Sequence, residues 1–303
     1  MSESGTEAVD APRRGGTGSD VSVVIMTRNR CQSLSTTLGH LAAMPERPPV
    51  VVVDNGSTDD TARVVAGAPD ARLVRLATNE GVGARNIGVD AVSTPYIAFC
   101  DDDSWWAPGS LRRAAQVLDA HPRLGAVTAH VLVGPDERDD PTSLAMANGP
   151  LPPVAGLPGV PVGGFLACAV VVRREAFLDV GGFHRAFQIG GEEALLAIDL
   201  LDAGWALHYL PDVVVHHHPV AAHHRSGRRR RQLRNDLWTL WLRRPAGPAA
   251  RQSVTVLRGA GMSLDTAGGA AAAVRGLPWV LRNRRRARPS TEVVLRALDE
   301  ARA

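Results

Sequence analysis

Four short apolar runs rich in β-branched residues, at 21–26, 50–53, 73–76 and 96–100, alternate with segments of helical periodicity inside about eighty residues. This alternation constrains the chain most, because a strand that recurs after a helix is brought back parallel to the one before it. Between the first two runs Leu34, Leu38, Leu41 and Met44 recur at three- and four-residue spacing, and Pro45 closes that helix. Ser57 and Asp60 have capping-box spacing ahead of Val64 and Val65, and a Gly81-Val82-Gly83 turn opens the next helix. The expectation is an α/β domain with a Rossmann-like, mostly parallel sheet and flanking helices.

Further along, Leu111, Ala114, Ala115, Val117 and Leu118 mark an amphipathic helix, and residues 125–133 read as a strand. Residues 134–160 are rich in Pro, Gly and Asp and read as a long loop able to close over a site. An apolar run at 162–172 precedes Glu192-Glu193, which open a helix stopping at Gly204, and two short strands follow at 205–209 and 213–215. The division expected is a disordered tail over 1–20, a catalytic-type α/β domain over 21–224 and an Arg-rich, partly helical region over 225–303.

The net charge of +3 conceals that division: residues 225–303 hold 18 Arg against five acids, and residues 1–224 hold 16 Arg against 26 acids. Every basic residue other than histidine is Arg. Of the run at Arg225, Arg228 to Arg231 and Arg234, three readings stand: a solvated basic face, contact with anionic lipid headgroups aided by the Trp-Leu helix that follows, and nucleic acid, which the acidic body disfavours. Cys31, Cys100 and Cys168 are too scattered for a disulfide framework and suit a reducing compartment. No signal-peptide pattern and no membrane-length apolar stretch is read, so the expected location is the cytoplasm, with peripheral contact to the inner face of the membrane.

The chemistry gathers where the apolar runs end. Tyr96 to Cys100 stops in Asp101-Asp102-Asp103, and three adjacent carboxylates need a cation or a ring of donors to offset their repulsion. Mg²⁺ or Mn²⁺ with a diphosphate answers that need; a solvated acidic turn is the bland alternative. Asp54 and Thr27-Arg28 fall at the same sheet edge, and Gly83 with Arg85 offers backbone amides and a guanidinium to an anion. Glu193, with Glu192 as second candidate, is read as a general base, against the alternative of acids favoured in a first helical turn. Of His216-His217-His218, one can assist an Asp-bound cation, since neighbours on a strand face opposite ways.

In this order the motifs resemble the family 2 glycosyltransferases of the GT-A fold: Val21 to Arg30, Val52-Val53-Asp54-Asn55-Gly56-Ser57-Thr58-Asp59, Asn79 to Gly88, and Phe99-Cys100-Asp101-Asp102-Asp103. The likeness covers residues 21–219, with Met26 and Arg28 where the family often has Pro and Tyr. It implies a metal-dependent, inverting transfer from a UDP- or dTDP-sugar to a hydroxyl acceptor, whether a glycan, a lipid-linked glycan or a small molecule. It also implies roles: Thr27, Arg28, Asp54, Gly83, Arg85, Asp101 and Asp102 for the nucleotide, Asp101, Asp103 and His217 for Mn²⁺ or Mg²⁺, and Glu193 for the base. Leu195 and Asp199 stand where the family usually carries Asp and Arg, which leaves a non-catalytic nucleotide-sugar-binding protein as the alternative. A sugar-1-phosphate nucleotidyltransferase is disfavoured, because no Gly-rich Arg/Lys loop follows the first strand.

Overall fold

A computed structural model describes residues 19–219 and 227–301; most of the tail read as disordered, and Arg225, lie outside the described residues. The four runs become β1 (Val21–Thr27), β2 (Val50–Asp54), β3 (Ala71–Arg75) and β4 (Tyr96–Asp101), separated by α1 (Cys31–Ala42), α2 (Thr61–Ala66) and α3 (Gly83–Asp90). Next come β5 (Ser104–Trp106), α4 (Ser110–Ala120), β6 (Leu124–Val133), β7 (Arg138–Asp139), α5 (Pro141–Ala147), β8 (Val160–Pro161), β9 (Val170–Arg173) and α6 (Arg174–Asp179). The sheet is completed by α7 (Glu192–Ala203) and β10 (Ala206–His217).

Strand order is β3-β2-β1-β4-β9-β6-β10-β5, with β7 on β6 and β8 on β10. β1, β2, β3 and β4 are mutually parallel, as are β6 and β10, while β9 runs antiparallel between β4 and β6. Side chains alternate across the sheet: Val23 and Ile25 join Leu34, Leu38 and Leu41 of α1 on one face, and Val24 joins Phe99, Leu196 and Leu200 on the other. Both faces of the central strands are therefore covered, which is why they read as continuous apolar runs. Parallel register sets Thr27 opposite Asp54 and Met26 opposite Asp101, so the polar ends of three strands share one sheet edge.

Several local expectations are corrected. The segment 134–160 is not a bare loop: Asp140 caps α5 through Thr142 N–H at 2.7 Å, with Pro141 in its first turn, and β7 and β8 tie the rest to the sheet. The two expected strands near 205–215 are one, β10, whose register slips between Leu210 and Val214, where Pro211 has no N–H to give the ladder. Only 170–173 of the apolar run is strand, preceded by a single 3-10 turn at Ala167–Ala169. The capping box does not form; Asp59, not Ser57, accepts from the Thr61 amide at 3.1 Å.

Among the described residues the basic region holds five helices: α8 (Arg228–Arg243), α9 (Ala246–Ala260), α10 (Leu264–Arg275), α11 (Leu277–Arg282) and α12 (Pro289–Glu300). Its Trp-Leu helix does not present its apolar side to solvent. Leu237 and Leu242 are buried, and Trp238 packs on Phe187 and Trp279 with ring centroids 6.1 and 5.2 Å away. Several arginines are interior partners. Arg243 forks onto Asp199 of α7 at 2.5 and 2.9 Å, and Arg244 onto Glu292 of α12 at 2.9 and 3.1 Å. Asp199, where the family usually has Arg, is thus the anchor that docks α8 on α7, and Arg285 adds a third contact at 2.9 Å. Asp199→Ala leaves the Arg243 guanidinium buried without its carboxylate, so urea unfolding is expected to show a loss of about 3–5 kcal/mol.

Candidate active site

The sheet edge opens onto a cleft of about 520 Å³, a size suited to a small-molecule ligand. A second hollow, against Leu38 and Pro48, holds only about 20 Å³ and has room for little more than water. Asp101, Asp102 and Asp103 form one wall of the cleft, Glu192 and Glu193 another, and His217 stands beside the acids. Thr27, Arg28 and Arg85 also line it. Neither Asp54 nor Gly83 does; none of the lining residues comes from 134–160, so that segment does not cover the cleft.

Each acid is held by a specific partner. Arg85, buried on α3, donates to Asp101 at 2.7 Å and to Glu192 at 3.3 Å, so one guanidinium ties the end of β4 to the start of α7. Burial opposes its charge, and the attraction of Asp101, Glu192 and Glu193 more than offsets this, raising its pKa. Arg30, just past β1, donates to Asp102 at 2.9 Å and to Asp103 at 2.6 Å. Thr27 donates its hydroxyl to Asp102 at 2.7 Å. Asp102 is nonetheless pushed up to about 6, burial outweighing both the Thr27 hydrogen bond and Arg30. His217 Nε2 lies 3.4 Å from Asp103 Oδ1, and that hydrogen bond raises the imidazole pKa.

Asp54 sits behind this surface, fully buried, accepting from the Ser57 amide at 2.8 Å and 3.5 Å from Arg75 Nε. Its carboxylate shapes the turn after β2. Asn55 does the same one residue on: its side chain donates to Gly81 O at 3.0 Å and accepts from Glu80 N at 2.7 Å, pinning the loop before α3. Gly83 is close-packed rather than open, since a Cβ there would lie 3.0 Å from Arg185.

Glu193 is half-buried in the cleft wall, and its carboxyl is raised to about 7, chiefly by burial and then by Glu192. The turn before it needs glycine: Gly191 has φ +77°, and a Cβ would meet Gln232 at 2.7 Å. Glu192 is more enclosed; it accepts from the Gly190 amide and faces Arg85. This separates the pair into a carboxylate held by Arg85 and a carboxyl on the cleft wall.

The donor set of Asp101, Asp103 and His217, two carboxylates and an imidazole on one cavity, has the chemistry of a site for Mn²⁺ or Mg²⁺. Among the described residues no three such groups converge as ligands around one point; Asp103 is paired with Arg30 and Asp101 with Arg85. Arg30 does not stand out in the sequence, although it ends the same polar cluster as Thr27 and Arg28; nor do Gln188 and Ile189, which line the cleft from the loop before α7.

An α/β domain with a mostly parallel sheet, whose acidic strand edge shares a cleft with carboxylates on a later helix, is the class that fold and cleft define. The model of the family described as Glycosyl transferase family 2 matches residues 22–181, and the chain belongs to that family. Its fold is GT-A. The pre-mycofactocin glycosyltransferase of Mycobacterium tuberculosis is 30% identical over 229 residues, 69% of this chain and 45% of that protein. The N-acetylglucosaminyl-diphospho-decaprenol L-rhamnosyltransferase of the same organism is 28% identical over 232 residues, 64% and 74% respectively. The match to the succinoglycan biosynthesis protein ExoU of Rhizobium meliloti, 35% identical over 97 residues, spans 30% of this chain and only 28% of that protein. Among solved structures, the mannosyltransferase PcManGT from Pyrobaculum calidifontis in complex with GDP-Man and Mn²⁺ shares the fold with a TM-score of 0.55 at 21% identity, over 92% of this chain and 86% of that one.

Thr27→Val removes the hydroxyl that donates to the Asp102 carboxylate, and a carboxyl ¹³C NMR titration is expected to move that group above about 6; an unmoved midpoint would show the hydrogen bond does not set it.

Proposed function

We propose that this chain transfers a sugar from a nucleotide-diphosphate sugar, a UDP- or dTDP-sugar, to the hydroxyl of a glycan, lipid-linked glycan or small-molecule acceptor, with inversion. The observation that carries the reading is Glu193: a carboxyl raised to about 7 in the same cleft as the acid triplet, next to a Glu192 that Arg85 immobilises. A group with that pKa takes up a proton readily near neutral pH. In the proposed step Glu193 removes the acceptor's hydroxyl proton as the oxygen attacks the anomeric carbon from the side opposite the diphosphate. The bond from that carbon to the diphosphate oxygen breaks, and the nucleoside diphosphate leaves with its electron pair.

Arg28 and the loop pinned by Asn55 border the space for the nucleoside, with Thr27, Asp54, Gly83 and Asp102 positioning that wall. A divalent ion held by Asp101, Asp103 and His217 would supply positive charge to the leaving diphosphate. PcManGT, solved with GDP-Man and Mn²⁺, supports that chemistry by analogy. Asp199 is committed to Arg243 and Arg285, which accounts for this departure from the family pattern without involving the base.

Glu193→Gln is expected to keep UDP affinity by calorimetry while sugar transfer falls at least about 100-fold. In the wild-type protein the base must be ionised, so transfer is expected to rise with pH through about 7 and to be lost below it. Transfer at the wild-type rate by the variant would remove Glu193 from the role, and the same assay with EDTA and with restored Mn²⁺ tests the ion.

We also propose peripheral docking on the cytoplasmic membrane face through the basic region, at the corner between α9 and α10. Met262 and Leu264 are fully exposed there, and Arg229 reaches the corner to donate to Ala260 O at 2.8 Å. Among the described residues no helix is long and apolar enough to cross a membrane. Co-sedimentation with phosphatidylglycerol vesicles is expected to be salt-sensitive and to be lost in Met262→Asp/Leu264→Asp; unchanged binding by the double variant rules the corner out.

A further inference from the structure

The arginine run at the start of α8 divides in space. Arg229 turns out toward the carbonyl of Ala260, and Arg230 packs against Gly268 of α10. Arg228 and Arg231 instead line the cleft, in roles that the transfer step as proposed does not assign.

Among the described residues five guanidiniums line the cleft; Arg28, just past β1, forms no ion pair, and the other four fall into two sets. Arg30 and Arg85 are engaged by the acids of the wall, at 2.6 to 3.3 Å. Arg228 and Arg231 form no ion pair among the described residues, and Arg231 Nε is shut off from solvent with no hydrogen-bond partner. A buried guanidinium nitrogen without a partner is costly unless a ligand supplies one. The helix adds to the field: α8 begins at Gly227, with φ +76°, without a capping side chain and without an acid in its first turn. Its first amides therefore lack intrahelical acceptors and carry the positive end of the helix dipole. Two guanidiniums and a bare helix start on one wall match the geometry and charge of phosphate oxygens.

We propose that Arg228 and Arg231 form a subsite for a phosphate or diphosphate group carried by one of the two substrates. This rests on the cleft being the donor site. The group is either the leaving diphosphate of the donor or a phosphate borne by the acceptor. Either way α8 supplies charge that the acid triplet, already paired with Arg30 and Arg85, does not leave to spare.

Calorimetry with inorganic pyrophosphate, UDP, uridine and farnesyl diphosphate distinguishes the cases, using wild type, R228Q, R231Q, the double variant and, as control, R112Q on the exposed side of α4. Pyrophosphate affinity is expected to fall about tenfold for each cleft arginine removed and to stay unchanged in R112Q, with uridine binding unaffected. A parallel loss for UDP assigns the subsite to the donor; a loss for farnesyl diphosphate alone assigns it to a phosphorylated acceptor. R231K, which keeps the charge, is expected to retain most of the affinity and stands in should R231Q unfold. A folded double variant that binds all three phosphate probes like wild type overturns the subsite, and so does a wild-type protein that binds none of them. If the arginine dependence holds but UDP binds no tighter than pyrophosphate, the nucleotide-sugar reading fails while the subsite stands.

Discussion

Charge compensation at the end of β4 is the constraint on which the site depends. Three consecutive carboxylates beside a buried strand need compensation, and two guanidiniums from other elements reach them, with the Thr27 hydroxyl and His217 beside them. Arg30 comes from the turn after β1 and Arg85 from α3, so neutralising the acids also fixes the relative positions of three strand ends. Arg85 goes further and holds Glu192, which sets the start of α7 and hence the height of Glu193 in the wall. The site is organised by a charge balance inside protein, and Glu193, the proposed base, forms no direct ion pair in it among the described residues.

The sheet was legible in the sequence because its central strands are covered on both faces and therefore read as unbroken apolar runs. The cleft was legible in part for a related reason: parallel strands deliver their carboxyl ends to one edge, so Thr27, Asp101 and their neighbours had to meet. What escaped was anything set by side-chain reach across elements. Arg30 looked like one more polar residue in a turn, and Asp54, placed correctly at the sheet edge, turns inward to Ser57 instead of into the cleft. Pro211 hid the continuity of β10, since a local rule against proline in strands reads a bulge as a break.

The basic region was the least legible. Arginine counts cannot separate interior partners from surface charge, and here both occur in one helix: Arg243 is buried on Asp199 while Arg229 lies outside. Nor does a Trp-Leu pattern say which body covers it. Phe187 and Trp279, distant in sequence, are what turn Trp238 inward.

The hold of α8 on the loop ahead of Glu192 has a mechanical corollary. Asn235 donates to Phe187 O at 2.9 Å and also to Gly190 O, and Arg234 grips Phe187 O at 3.2 Å. The helix acts as a lever whose short arm ends at the turn before α7. Any force that tilts α8 is transmitted through these tethers to the start of α7, so on the proposed reading membrane docking and proton transfer share one rigid part.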